Sequence, residues 1–456
     1  MADYQELRQR HVADLAAIFP GWIQRLRWPA ERLREERQRR LRALLRVALA
    51  SSPWHRERLD GIDPETFVEE DLPLLPAMTK DELMADWDAI VTDRRLTLAA
   101  VERHLAGLTA DAYLLDEVHA CASGGSTGRR GVYIHGWTAW AEEYAGYMRH
   151  LLWDRAVSPE LAGLPNTIAF VAAQHATHMT SSMAQTFANP MVQSARFPVT
   201  RPLDRIVAGL NEFQPTTVLG YPSALALLAV EARDGRLRIA PRRLMSTSEP
   251  LLPEVRRSVE EAFGAPIANH YGTSEAGPLG CGCWRGPGMH LPDDLVIVEP
   301  VDQAGRPVPP GTRSDKLYVT AITNPLLPLI RFELTDQVTV LEHACPCGSA
   351  HRLIADVETR LDDDFRYPGG VVVHPHVFRS VLSREPWIVE YQVRQTPTGA
   401  EALVIGAAGD PAAVGRALEK ELAQVGVAGP CVEVRVVDRL ERQAVGKVRR
   451  FQPIPG

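Results

Sequence analysis

The chain has 456 residues, of which 45% are hydrophobic, 23% charged and 7% aromatic, a composition that excludes a disordered chain and is typical of an enzyme with a sizeable core. At roughly 150 residues per domain, this length predicts two or three domains. The formal net charge of −7 gives no electrostatic reason to expect a nucleic-acid partner. No apolar run of about 18 residues occurs, and the N-terminus lacks a signal-peptide pattern. We therefore expect a cytoplasmic protein without a membrane partner.

Lysine is rare in this chain. Of the 50 basic residues, four are lysines, which leaves 50 − 4 = 46 arginines. GC-rich coding explains such a skew. It also draws attention to Lys80, Lys316, Lys420 and Lys447, because arginine would serve wherever only a charge is needed.

The pattern along the chain predicts an α/β fold. Residues 31–49 form an amphipathic helix, with Leu41, Leu44, Leu45 and Ala48 at helical spacing. Beyond residue 160, short apolar strands alternate with helical stretches, which favours sheets flanked by helices. The elements expected there are strands at Thr167–Ala173, Thr216–Leu219 and Arg243–Thr247 and a helix at Pro253–Phe263.

The C-terminal part differs from the rest. Its pattern is strand, strand, helix, strand, enough for a small α+β domain. The elements expected are Ile388–Val393, Leu403–Ile405, Pro411–Leu422 and Val432–Val437. A polar stretch over 360–366 marks the boundary. We therefore predict a large N-terminal domain over 1–361 and a small C-terminal domain over 362–456.

Ala122–Gly131 mixes glycines with small hydroxylated residues. Such a segment lets backbone N–H groups approach and cradle phosphate oxygens. It lacks the spacing of a P-loop NTPase, and taken alone it fits a surface turn equally well.

Three further motifs carry single chemical groups. Glu275 lies in a glycine-flanked loop and suits Mg²⁺, which prefers one or two carboxylates together with substrate phosphates. Asp336 follows a strand-like segment, where it could accept both hydroxyls of a ribose. Lys447 follows Gly446 and could donate to a phosphate and a carboxylate. Individually, these residues also fit a loop acid or a solvated basic tail.

The order and spacing of these motifs resemble the adenylate-forming superfamily of acyl-CoA ligases, adenylation domains and luciferases. Within it, the chain looks most like the phenylacetate–CoA ligase branch. The resemblance covers nearly the whole chain and includes Leu72–Lys80 and Gly220–Ser223. It implies a large N-terminal domain that binds AMP and the acyl group, with a small mobile C-terminal lid.

The resemblance also implies roles for individual residues. The loop over the ATP phosphates would be formed by Ser123, Gly124, Gly125, Ser126, Thr127, Gly128 and Arg129. The adenine would be lined by Ser248, Glu249, Pro250, Tyr271, Gly272 and Thr273. The remaining roles would be Glu275 for Mg²⁺, Asp336 for the ribose, Arg360 for the ribose or a phosphate, Asp362 for the hinge and Lys447 for adenylation.

The reaction that the resemblance implies has two halves. A carboxylate, aromatic by family analogy, attacks the α-phosphate of ATP and pyrophosphate leaves, while Mg²⁺ and Lys447 offset the developing charge. The small domain then rotates, and a thiol, expected to be that of CoA, attacks the acyl-adenylate. The expected partners are the acid, ATP and CoA, or a carrier protein in place of CoA. A homodimer is left open.

Three motifs depart from the usual family pattern. In one of them, Glu249 is kept but its neighbours are Thr-Ser rather than Gly-Ala. The phosphate loop reads Gly-Gly-Ser-Thr-Gly-Arg-Arg over 124–130, where Gly-Thr-Thr-Gly-Lys-Pro is usual. In the ribose motif, Glu333 and Leu334 replace an arginine and a threonine. These departures indicate a divergent member, and they affect the acyl substrate and the acceptor more than adenylation.

The cysteines predict a separate metal site. Cys283, His290, Cys345 and Cys347 offer three sulfurs and one nitrogen, a closed set that suits structural zinc. Some members of the branch have a similar site. Cys281 could replace Cys283, and free thiols in loops are the alternative.

The acyl pocket is the least readable part of the sequence. Tyr221, His175 and His178 are its candidates, although a buried histidine satisfied by the backbone explains either histidine equally well. Two other functions compete with a CoA ligase. One is an adenylating enzyme that passes the acyl group to a carrier-protein thiol or an amine. The other is a non-catalytic, zinc-stabilised binding protein, against which the joint presence of Glu275, Asp336 and Lys447 argues.

Overall fold

The computed structural model describes residues 3–123, 130–172, 175–189, 192–357, 363–406, 408–443 and 446–454. The chain divides into two compact units. The first unit comprises Met1–Thr167, Gln174–Ser194 and Ala268–Asp356. The second unit comprises Ile168–Ala173, Ala195–Ile267 and Val357–Gly456. The predicted domain boundary at 361/362 falls outside the described residues and stays a prediction.

The helices lie in both units. In chain order they are α1 Tyr4–Arg25, α2 Ala30–Ser51, α3 Pro53–Arg58, α4 Lys80–Ala85, α5 Trp87–Ile90, α6 Leu98–Gly107, α7 Trp137–Val157, α8 Met179–Thr186, α9 Leu203–Phe213, α10 Pro222–Arg233, α11 Pro253–Phe263, α12 His376–Leu382 and α13 Pro411–Gln424. Over the described ranges, none of these helices is long and apolar enough to cross a bilayer.

The strands are mostly short. In chain order they are β1 Val118–Ala122, β2 Val132–Gly136, β3 Thr167–Ala172, β4 Gln193–Pro198, β5 Thr217–Gly220, β6 Arg243–Thr247, β7 Ile267–Thr273, β8 Gly277–Gly282, β9 Met289–His290, β10 Val296–Val301, β11 Lys316–Ala321, β12 Phe332–Leu334, β13 Leu353–Ile354, β14 Phe365–Tyr367, β15 Val371–Val373, β16 Ile388–Thr396, β17 Gly399–Gly406, β18 Cys431–Val436 and β19 Phe451–Gln452. The predicted mixture of strands and helices is confirmed, and the fold is α/β.

The first unit is built from antiparallel strands and long helices. β1 pairs with β2, and β10, β11 and β12 are successive neighbours. β7, β8, β9 and β13 form a second antiparallel series. Leu41, Leu44 and Leu45 of α2 are buried in one cluster with Ile297 and Ile322, which confirms the predicted amphipathic helix. Burying each such side chain stabilises the fold by about 1.5–3 kcal/mol.

The second unit combines a parallel and a mixed sheet. β5 pairs in parallel with β3 and with β6. The small sheet has the order β18-β17-β16-β19, with β16 and β17 antiparallel, and α13 contacts β18. Buried side chains of both parts, including Val218, Leu244, Phe378 and Leu418, belong to one hydrophobic cluster. The strand-strand-helix-strand prediction for the C-terminal part is confirmed.

Candidate active site

The glycine-rich loop starts at the end of β1 and ends before β2. The Ser123 N–H donates to the Gly131 carbonyl at 3.0 Å, and Ser123 Oγ accepts the Gly131 N–H at 2.9 Å. The two ends of the loop are therefore tied together. The predicted phosphate ligands within it lie outside the described residues, namely Gly124, Gly125, Ser126, Thr127, Gly128 and Arg129.

Lys80 contacts Ser123, and although this lysine stands out in the sequence, no role in the site is predicted for it there. It is the first residue of α4, and a capping box between Thr79 and Glu82 fixes the start of that helix. Its Nζ donates to Ser123 Oγ at 3.2 Å. The rarity of lysine in the chain is the signal that could have found it.

Glu275 lies on the turn Ser274–Ala276, which joins β7 to β8. Thr273 Oγ1 accepts the Ala276 N–H at 3.2 Å and closes the turn. Gly277 has a φ of +70°, which favours glycine. The structure thus presents the predicted Mg²⁺ carboxylate at the tip of a tight hairpin.

The predicted adenine residues Tyr271, Gly272 and Thr273 are the last three residues of β7. A Cβ added to Gly272 would lie 1.8 Å from the hydroxyl oxygen of Tyr147, so glycine is needed where helix α7 approaches the strand. Burial raises the pKa of Tyr147 well above its ordinary value. Burial likewise raises the pKa of Tyr133, and the Glu275 carboxylate near it adds to the effect.

A buried ion pair lies beneath the turn. His135 Nε2 is 3.1 Å from the Ser274 carbonyl oxygen, and His135 Nδ1 is 2.9 Å from Glu143 Oε2. Cys121 Sγ donates to the same carbonyl at 3.8 Å. Burial opposes protonation of His135, but the Glu143 carboxylate and the Cys121 sulfur together raise the pKa of the imidazole well above its ordinary value. No sequence motif signalled this pair.

Asp336, the predicted ribose ligand, follows β12 and is buried. The segment before it is fixed by Arg331, which has a φ of +51° and whose Nε lies 3.2 Å from Glu299. Glu333, one of the departures from the family pattern, pairs with Lys316 at 2.7 Å. The charge of Glu333 is therefore paired with Lys316, and Asp336 remains at the position expected for the ribose ligand.

The predicted adenine segment of the second unit follows β6. Ser248 has a backbone φ of +71°. Residues other than glycine rarely adopt this conformation, and those that do are concentrated at ligand sites. Glu249 Oε2 accepts the Ser223 N–H at 3.1 Å, at the start of α10. Pro250 completes this segment.

The loop that carries Lys447 lies against Glu249. Glu249 Oε1 accepts the Val448 N–H at 2.7 Å. Arg442 Nη1 donates to the Gly446 carbonyl at 2.9 Å and to Ser223 Oγ at 3.3 Å. The structure therefore brings Lys447 and the predicted Ser248–Pro250 segment together within the second unit. Arg360 and Asp362 lie outside the described residues.

The acyl-pocket candidates belong to different units. His178 is buried at the start of α8, and its N–H donates to the His175 carbonyl at 3.0 Å, whereas the side chain of His175 is exposed. Tyr221 is buried in the second unit, directly before α10. Their part in an acyl pocket stays a prediction.

The four predicted zinc ligands converge in the first unit. Cys283 Sγ is 3.4 Å from both Cys345 Sγ and His290 Nε2, and Cys347 Sγ is 3.5 Å from His290 Nε2. All four ligand atoms lie within 4.8 Å of one another. Cys281, the alternative ligand, instead donates its thiol to the Gly146 carbonyl at 3.6 Å.

Comparison with known proteins shows which family part of this chain is similar to. Residues 121–318 match the model of the AMP-binding enzyme family. The predicted resemblance to the adenylate-forming superfamily is thereby confirmed.

Several of the proteins that the chain is similar to are coenzyme A ligases. The chain is 28% identical over 384 residues to the phenylacetate-coenzyme A ligase of Thermus thermophilus, an alignment that covers 80% of this chain and 78% of the relative. It is 24% identical over 204 residues to the phenylacetate-coenzyme A ligase of Pseudomonas putida, covering 40% and 43%. A crystal structure of 2-hydroxyisobutyryl-CoA ligase in a postadenylation state shares the fold, with a TM-score of 0.72, 21% identity and coverage of 95% and 91%.

Proposed function

We propose that this protein is an AMP-forming acid–thiol ligase. It activates a carboxylic acid with ATP to an acyl-adenylate and then transfers the acyl group to the thiol of CoA. The acid is proposed to be aromatic, because the similarity that covers most of the chain is to phenylacetate-coenzyme A ligases.

One observation carries the proposal. Cys121, just before the glycine-rich loop, and Ser274 of the Glu275 turn lie 153 residues apart in sequence. Cys121 of β1 and His135 of β2 nevertheless both contact the Ser274 carbonyl. A phosphate-binding loop and a carboxylate for Mg²⁺ are useful only side by side. The fold brings their supports together.

The residues fit a Mg²⁺ ion that arrives with the nucleotide. Glu275 is a partly exposed carboxylate at a turn tip, and Mg²⁺ commonly takes one or two protein carboxylates with substrate phosphates. When bound, the ion would neutralise charge on the phosphate oxygens. Lys80 and Ser123 would orient the phosphate loop, Asp336 would hold the ribose hydroxyls, and Lys447 would donate to the oxygens that gain charge as the carboxylate attacks.

The experiment is a screen of aromatic and aliphatic acids for ATP-dependent pyrophosphate release, with and without CoA. We expect release with at least one aromatic acid and an acyl-CoA product when CoA is present. Release that never yields acyl-CoA would favour a carrier-protein thiol or an amine as acceptor. If no acid gives release, the binding-protein alternative is favoured instead.

Zinc is the second part of the proposal. Tetrahedral zinc with three sulfurs and one nitrogen separates its ligand atoms by roughly 3.5–3.8 Å. Three of the separations in the Cys283–His290–Cys345–Cys347 cluster are 3.4–3.5 Å, and all lie within 4.8 Å. The closed ligand set indicates a structural ion, which would contribute directly to stability.

Elemental analysis tests the zinc site. We expect about one Zn²⁺ per chain, loss of zinc and of thermal stability in Cys345→Ser, and retention of both in the control Cys281→Ser. A folded, active wild type without zinc would contradict the site.

A further inference from the structure

The carbonyl of Ser274 has an unusual environment. It belongs to the residue directly before Glu275, and it faces buried side chains of two other strands. His135 Nε2 lies 3.1 Å from its oxygen and Cys121 Sγ lies 3.8 Å from it. Both side chains are buried. The two buried side chains thus hold the backbone of the turn that carries the proposed Mg²⁺ ligand.

Glu143 determines how His135 is oriented. Its carboxylate oxygens lie 2.9 and 3.1 Å from His135 Nδ1. A carbonyl oxygen can only accept, so Nε2 must carry a proton, and the carboxylate at Nδ1 keeps the ring in that orientation. Glu143 also packs under the end of the turn, since a Cβ on Gly277 would lie 2.9 Å from its Cγ.

The burial of this pair has a cost. The His135 and Glu143 side chains are 0% and 1% exposed. Buried ion pairs are often no more stabilising than apolar residues of similar size, so stability alone gives little reason for this one. What an apolar pair could not supply is the directional N–H bond to Ser274.

We propose that His135 and Glu143 are positioning residues for Glu275. They hold the Ser274–Ala276 turn so that the Glu275 carboxylate stays where the divalent cation of the ATP complex binds. The inference rests on the proposed function. It assigns to two buried residues a share in cation affinity that neither the motifs nor the fold indicates.

A neighbouring pair provides a matched control. His119 is the cross-strand partner of His135 in the β1–β2 ladder and is also buried beside a carboxylate, Asp111, at 3.3 Å. Its Nε2 bonds to Thr186 Oγ1 at 3.2 Å, and its ring stacks on Trp140. These contacts belong to α7 and α8, not to the turn.

The experiment compares His135→Leu, His135→Gln and His119→Leu in the full chain. Hydrogen exchange of the peptide around 270–280 reports on the turn without catalysis. Binding of Mn²⁺ in the presence of α,β-methylene-ATP, followed by electron paramagnetic resonance, reports on cation affinity, with Glu275→Gln as reference. A double variant, His135→Leu with Glu143→Leu, avoids leaving a buried carboxylate unpaired.

We expect His135→Leu and the double variant to speed exchange of the turn and to weaken Mn²⁺ binding, each about tenfold, the order expected for one lost buried hydrogen bond. His135→Gln keeps an N–H near the position of Nε2 and should restore both to within about threefold. His119→Leu should change neither.

The outcomes separate the two hypotheses. The positioning role is wrong if the turn exchanges as in wild type in both His135→Leu and the double variant. It is also wrong if His119→Leu speeds exchange of the turn as much as His135→Leu does. If Glu275→Gln binds Mn²⁺ as tightly as wild type, the proposed cation role of Glu275 fails, whatever the exchange data show.

Discussion

Glu275 and Lys447 are the two groups that the proposed adenylation requires at the phosphates, and the chain holds them in different ways. The Glu275 turn spans three residues of a hairpin, and the buried pair His135–Glu143 bonds to its backbone. Such a carboxylate has little freedom to move. It is expected to occupy one position in both half-reactions.

The Lys447 loop has two anchors of unequal kind. Arg450 is buried against Glu390, with Nη2 2.8 Å from Oε2, and its guanidinium lies over the Tyr391 ring. The other anchor is a pair of hydrogen bonds, from the Val448 N–H to Glu249 and from Arg442 Nη1 to Ser223 Oγ. The first anchor joins neighbours in the C-terminal sheet, whereas we expect the second to be released without unfolding that sheet. A fixed carboxylate and a releasable lysine are what a two-step ligase needs.

The largest expected effect is that of Lys447→Ala. Adenylation should fall by two or more orders of magnitude, roughly the cost of losing a contact to transition-state charge. The second half-reaction should survive, because thioester formation is proposed to use the other orientation of the small domain, with Lys447 swung away from the site. Arginine should not rescue, since its planar fork does not reproduce a compact ammonium.

The measurement supplies preformed acyl-adenylate and CoA to the Lys447→Ala protein and compares the rate with wild type. Equal losses in both half-reactions, or no loss in either, would show that Lys447 does not have the assigned role.

Arg450→Met tests the permanent anchor. Removing one partner of a buried ion pair leaves Glu390 uncompensated and should cost about 3–5 kcal/mol of unfolding free energy. Denaturant unfolding of this variant measures the loss. Arg416→Met is the control, because Arg416 and its partner Asp410 are both exposed, and it should cost less than about 1 kcal/mol. Similar losses of unfolding free energy in the two variants would contradict the distinction between a buried and an exposed ion pair.

Glu249→Ala tests the releasable anchor. It removes the acceptor of the Val448 N–H and should lower kcat of adenylation about tenfold, the effect of one charge-assisted hydrogen bond. Glu249→Gln keeps an acceptor and should lose less. Loss of an adenine contact would instead raise KM for ATP, so the split between kcat and KM decides between loop docking and nucleotide binding. Thioester formation from preformed adenylate should not change.

The sequence predicts elements better than it predicts contacts. β6 and α11 have the predicted bounds, because strand and helix periods are local properties. The choice between Cys281 and Cys283 could not be made from spacing, since both lie near His290 along the chain. Only the folded hairpin shows which thiol faces the imidazole. His135 and Glu143 gave no signal, because their role depends on the Ser274 carbonyl, which is 139 residues from His135 along the chain.

The smallest expected effect is that of Cys121→Ala. Cys121 contacts the same Ser274 carbonyl as His135, but a thiol is a weak donor and its Sγ lies 3.8 Å away. The Mg²⁺ concentration for half-maximal pyrophosphate release should therefore rise by less than about threefold, against about tenfold for His135→Leu. Cys281→Ala, which also empties a buried thiol site in the first unit, controls for the small cavity. If Cys121→Ala shifts the Mg²⁺ requirement as far as His135→Leu while Cys281→Ala does not, then close packing around Ser274 positions Glu275. A smaller shift for Cys121→Ala would instead assign that role to the directional bond from His135.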